Sequence, residues 1–171
     1  MKKFMLITLA VLLSVSAMAK VKVKSGSAAC MREDATAVVV FDYSEAKFDE
    51  DDNYITWCGE DFAVRDSLST AEFIDYFNRN SKGLKINNEA TDAKYRIIVK
   101  VGDCDQSMDM GCGWGQMRFK ASAMIEIVEI ATNETVCIVE VDEEEGLCDY
   151  SANDRIAKCF GFIGKELSKN K

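Results

Sequence analysis

Hydrophobic and polar positions change their period several times along this chain. Residues 36–43 (TAVVVFDY) form a β-branched run without alternation, the pattern of a strand buried on both faces. Residues 95–101 (YRIIVKV) repeat a strand signal. The stretch 117–130 is longer, with Ile125 and Ile127 on one face and Met124, Val128 and Ile130 on the other. Residues 131–134 predict a turn, and 135–142 return as the hairpin partner. Ser69 and Glu72 have capping-box spacing, and Phe73, Ile74 and Phe77 share one face of the helix they would open. The stretch from Asn80 to Gly83 would stop that helix. A last helix, capped by Ser151 or Asn153, carries Ile156, Phe160, Ile163 and Leu167 as one apolar stripe. Gly161 and Gly164 interrupt it, which suits a face packed closely on a sheet. Residues 44–53, 102–116 and 143–146 are polar and predict two loops and an acidic tip. Residues 54–67 have no clear period, with room for a short helix around 60–66.

This order predicts an α+β domain. The expected sheet is mixed, of about four strands, with two or three helices packed mainly on one face. The 117–142 hairpin would be antiparallel. The strands flanking the Ser69 helix would be parallel through a right-handed crossover. Residues 35–171 form one expected domain, and 20–34, basic and then small and polar, a flexible lead-in.

Residues 1–19 stand apart. Lys2 and Lys3 precede an apolar run too short to span a bilayer, and Ala17-Met18-Ala19 offers a small-x-small cleavage site. This is the pattern of a secretory signal peptide, so the mature chain is expected in the periplasm or secreted, after cleavage near Ala19. It would carry no transmembrane segment. Losing both lysines takes the net charge from −8 to −10, which argues against nucleic acid as a partner. Cys30, after Ser27-Ala28-Ala29, is a conceivable lipidation site. The usual leucine is missing, and Lys20, Lys22 and Lys24 separate it from the apolar run, so a lipid anchor is disfavoured.

The 171 residues contain neither histidine nor proline. Serine–histidine and cysteine–histidine nucleophile pairs are therefore excluded. A carboxylate pair is the remaining acid–base option. Asp42 with Glu126 or Glu129 is the geometry to test, but no catalytic residue is assigned and an enzyme is not expected. The seven cysteines are Cys30, Cys58, Cys104, Cys112, Cys137, Cys148 and Cys159. An odd count in an exported chain predicts disulfides with one thiol left over. Cys104–Cys112 would staple one loop, Cys137 and Cys148 flank the acidic tip, and Cys159 suits a buried free thiol. No C-x-x-C pair supports zinc or redox chemistry, and no cofactor is expected. Asp49, Asp51, Asn53 and Glu60 fall at positions 1, 3, 5 and 12 of a calcium loop, but Tyr54 occupies the glycine position. A solvated acidic loop is the better reading. Trp114, near Met108 and Met110, could anchor a contact loop.

The ordering also resembles a family. Val38 to Asp42 is a strand ending in aspartate, and Thr91-Asp92-Ala93-Lys94-Tyr95 leads into the next strand. Ile127 to Val136 is a hairpin phrase, with Glu129 where aspartate is usual and Asn133-Glu134 where Thr-Gly is usual. These stretches resemble the periplasmic α/β domain of curli-secretion lipoproteins, penicillin-binding-protein activator lipoproteins and the N-terminal domain of the Tol-system translocation protein. The resemblance implies envelope assembly by protein contact, without catalysis. The expectation is thus a non-enzymatic secreted or periplasmic protein that contacts an unknown envelope partner in a bacterium. The alternative is a calcium- or glycan-binding module using the acidic loops and Trp114.

Overall fold

The computed structural model describes residues 21–49, 52–109, 116–147 and 151–169. Strand β1 (Val21–Gly26) leads into a 3₁₀ turn (Ala28–Arg32) and strand β2 (Thr36–Asp42). Two short strands, β3 (Lys47–Phe48) and β4 (Asp52–Asn53), precede helix α1 (Tyr54–Cys58) and helix α2 (Phe62–Asn80). Then come β5 (Lys85–Ile86), β6 (Tyr95–Asp109), β7 (Gln116–Glu129), β8 (Glu134–Leu147) and helix α3 (Ala152–Ser168). The strands form one mixed, eight-stranded sheet in the order β1-β8-β7-β6-β2-β5, with β3 joining through β6 and β4 through β3. β2 runs parallel to β6 across α2, while β6, β7, β8 and β1 are antiparallel neighbours.

The expected sheet of about four strands is thus too small by half. Three kinds of strand escaped the apolar pattern. β3, β4 and β5 are two residues long, below any period. β1 is polar and belongs to 20–34, expected to be a flexible lead-in; there Lys24 reaches Glu140 at 3.1 Å and Lys22 lies 3.8 Å from Asp142. Residues 102–109 and 143–147, expected to be loop and acidic tip, extend β6 and β8. Cross-strand charge pairs support the extension, as where Arg118 meets Glu145 at 2.8 Å.

The capping box is a second correction. α2 begins at Phe62, so Ser69 is fully buried in mid-helix and caps nothing. Arg65 anchors the added turns: it donates to Asn153 Oδ1 at 2.9 Å and to Asp61 at 3.2 Å, and stacks on Trp57. At α3 the expected cap holds, with Ser151 Oγ accepting the Asp154 N–H at 3.1 Å. The stripe Ile156, Phe160, Ile163 and Leu167 is buried as expected.

α2 and α3 pack on each other and cover one face of the sheet. Their contact explains the helix glycines differently from expectation. A Cβ on Gly164 would lie 2.5 Å from the Phe73 carbonyl oxygen, so Gly164 lets α3 approach α2, not the sheet. Beneath the helices Val99, Ile125 and Val139 line up across three strands, fully buried.

The long strands bend together. Opposite Ser122 of β7, both neighbours carry an extra residue: the register slips between Val101 and Cys104 on β6 and between Val141 and Glu144 on β8. Gly102 allows the approach, since a Cβ there would sit 2.6 Å from Ser122 Oγ. The Asp103 N–H donates to the same oxygen at 2.9 Å. Beyond the bend, Phe119 packs near Tyr54 and Trp57, and Trp57 stacks on Phe48 at 3.7 Å between ring centroids.

Candidate functional site

The face of the sheet away from α2 and α3 is the candidate site. Its residues are the alternate positions of the strands whose other positions form the core. β2 contributes Val38, Val40 and Asp42; β6 contributes Ile98 and Lys100. β7 adds Met124 and Glu126, and β8 adds Ile138 and Glu140. Val40 is 46% exposed. This corrects the expectation that 36–43 is buried on both faces, because both long helices lie on the same side.

Charges on this face are paired rather than scattered. Lys100 Nζ contacts Glu126 Oε1 at 2.6 Å, and Lys24 holds Glu140. Asp42 of β2 is in register with Lys100, and Glu126 of β7 reaches the same lysine diagonally, so Lys100 stands between carboxylates on the two strands that flank β6. The Ser44 backbone N–H, 3.0 Å from Asp42 Oδ1, is the main cause that holds Asp42 below the usual carboxylate range, with Lys100 adding to it. The Glu126 carboxylate in turn raises Lys100. A group held ionised in this way is a poor proton donor near neutral pH. Glu129, the other proposed partner of Asp42, lies at the far end of β7, paired with Tyr95 and bonded to Thr132 Oγ1 at 3.1 Å.

Where the strands bend, the face deepens into a groove of about 1130 Å³. Lys47, Asp49, Asp103, Asp105, Lys120 and Ser122 are among its walls. Local desolvation, and then the neighbouring Asp105 carboxylate, raise the carboxyl of the exposed Asp49 above its ordinary value. The proposed calcium ligands do not converge here. Asn53 Oδ1 is occupied as the cap of α1, accepting the N–H groups of Ile55 at 2.9 Å and Thr56 at 3.3 Å. Glu60 is exposed in the turn before α2, and Asp51 lies outside the described residues. Among the described residues no three His, Cys, Asp or Glu side chains group as a metal site would need.

The cysteine expectations are redrawn as well. Among the described residues Cys30, Cys58, Cys104, Cys137 and Cys159 are buried, and no disulfide joins any two of them. Cys112 and Cys148 lie outside the described residues, so neither expected pair is drawn in full. Cys104 is buried beside α1, with Cys58 as its near neighbour, five residues before β6 ends. Of the expected contact loop, Met108 is exposed, while Met110 and Trp114 lie outside the described residues. Sequence reasoning missed Val40, Ile98 and Lys100. Alternation in 95–101 was the only signal for Ile98 and Lys100, and it reads as core until the helices are placed, while Val40 sits in a run without alternation.

No protein-family model matches the chain, and no curated protein does. Solved structures with a similar chain course include the PelC dodecamer from Paraburkholderia phytofirmans, 13% identical, with 85% of this chain and 96% of that one covered and a TM-score of 0.46. A neuraminyllactose-binding hemagglutinin homolog from Helicobacter pylori is 10% identical, with coverage of 81% and 86% and a TM-score of 0.40. The hypothetical protein CT253 from Chlamydia trachomatis is 8% identical, with coverage of 79% and 91% and a TM-score of 0.38. These three differ from the families expected from the sequence. At such scores the likenesses carry no argument about function. Among the described residues no helix is long and apolar enough to cross a membrane.

Proposed function

We propose that this protein is a non-enzymatic binding module that works outside the cytosol, at a bacterial cell envelope, by contact with another protein. Its contact surface is the uncovered sheet face. The observation that carries this reading is the row Val38, Val40, Ile98, Met124 and Ile138, apolar side chains left on a face that, among the described residues, no helix covers. Interface cores are apolar patches with few unpaired charges, and here the neighbouring charges already neutralise one another. The leader at 1–19 supports the compartment. A photoreactive residue at Val40, in the native host, tests the surface against the same residue at Val64, exposed on α2. Val40 should give a discrete adduct that Ile98→Glu abolishes. Equal adducts from Val40 and Val64, or insensitivity to Ile98→Glu, would overturn the reading.

A further inference from the structure

Cys30 and Cys137 are neighbours at one corner of the covered side. Gly26, the last residue of β1, pairs directly with Cys137 of β8. The contact is close: a Cβ on Gly26 would lie 3.0 Å from the Cys137 Cα. One residue on, the Ser27 N–H donates to the Val136 carbonyl at 3.1 Å. The 3₁₀ turn that follows lies against β8 and turns Cys30 inward. The Cys30 thiol is 3.6 Å from the Ser27 carbonyl oxygen, the residue beside Gly26. Cys30 is 4% exposed and Cys137 not at all. Burial first, and the neighbouring Cys137 second, push the Cys30 thiol up to about 11.

We propose that Cys30 and Cys137 form a disulfide that locks β1 and its turn onto β8. Closure needs an oxidant, here a protein or small-molecule disulfide. One cysteine, as thiolate, attacks a sulfur of that disulfide; its S–S bond breaks and a mixed disulfide forms. The second thiolate then attacks the mixed disulfide, and the Cys30–Cys137 bond forms as the oxidant's remaining sulfur leaves. Two electrons pass to the oxidant, which takes up the two protons and ends as two thiols. Because both thiols are buried and thiol chemistry needs an accessible thiolate, closure belongs to folding or to opening of the β1 edge. The bond gives the fold an end that the strand alone does not: β1 is polar, exposed along most of its length and, among the described residues, paired on one side only.

The test uses the chain lacking residues 1–19, refolded in a glutathione redox mixture, alkylated and digested without reduction. The expected result is a peptide pair joining Cys30 to Cys137, with neither cysteine alkylated. The loop closed is about a hundred residues, so reduction should lower Tm by about 10 °C. Cys30→Ser should remove most of that fall and leave Cys137 open to alkylation on unfolding. The proposal is overturned if Cys30 is recovered alkylated, or if Cys137 is joined to any other cysteine. The peptide map is read on the unsubstituted chain, so it decides even if Cys30→Ser does not fold.

Discussion

Two faces of one sheet are written into alternate residues of the same three strands. Val99, Ile125 and Val139 lie side by side on the covered face, fully buried beneath α2 and α3. One step along, Ile98, Glu126 and Ile138 lie side by side on the open face. A face turned only to water commonly alternates to polar residues. This one mixes aliphatic side chains with charges that are paired locally, as Lys100 is with Glu126. The difference teaches that burial in this chain is set by where the helices land, not by how apolar a strand is.

The largest effect should separate the faces directly. Ile125→Ala removes a fully buried side chain and should cost about 4 kcal/mol of stability. Ile138→Ala, from the open face, should cost under about 1 kcal/mol. Denaturant titration of both variants checks this, and comparable losses would show that the open face is structural.

The helix layer can be probed next. Gly164→Ala places a Cβ 2.5 Å from the Phe73 carbonyl oxygen, which is backbone and cannot swing away. Strain of about 2 kcal/mol should outweigh the gain of about 1 kcal/mol in helix propensity. Gly161→Ala meets the Tyr76 ring at 3.2 Å, a side chain able to shift, and should be near neutral or stabilising. Thermal melts that rank the two the other way would break this account of the α2–α3 contact.

The contrast also explains which parts of the fold could be read from the sequence. β7 and the start of β6 were legible because apolar residues fell at strand spacing, and α3 because its stripe and Ser151 agreed. β1 was not, since Lys22 and Lys24 become strand residues only when Glu140 and Asp142 stand opposite. The start of α2 was hidden by Arg65, a charged residue buried by partners far away in sequence, Asn153 among them. Ser69 misled because a capping box is local spacing, and a helix already running overrides it. The open face was invisible for a related reason. Val40 and Val39 are the same residue type, and only the position of the helices makes one exposed and the other core.

The two faces should fail at opposite ends of the pH scale. On the covered side, the reduced Cys30 thiol is raised from 9.0 to about 11 by burial and by Cys137. The folded state then keeps a proton that the unfolded chain loses above pH 9. Its contribution is therefore complete below 9 and is lost as pH rises through about 11. Burial raises the Tyr43 and Tyr54 phenols in the same sense. On the open side Asp42 is lowered, so its contribution is present above the usual carboxylate range and is lost as pH falls through the folded value. Stability of the reduced protein measured from pH 3 to 11 should decline at both ends. Asp42→Asn should flatten only the acid limb, and Cys30→Ala only part of the alkaline one.

The smallest expected effect bears on the open face alone. Lys100→Met removes the cation between Asp42 and Glu126 and leaves two carboxylates facing across β6. The lysine is exposed over much of its length, so the loss should be about 0.5 kcal/mol in dilute buffer. Salt at about 1 M shortens electrostatic reach to roughly 3 Å and should shrink that loss further. The acid limb should also move, because Asp42 loses one of the interactions that hold it ionised. A stability loss above about 2 kcal/mol that salt leaves unchanged would mean that Lys100 supports the sheet itself. A small, screened loss would leave the paired charges as a feature of the surface, available to a partner that docks on the aliphatic row beside them.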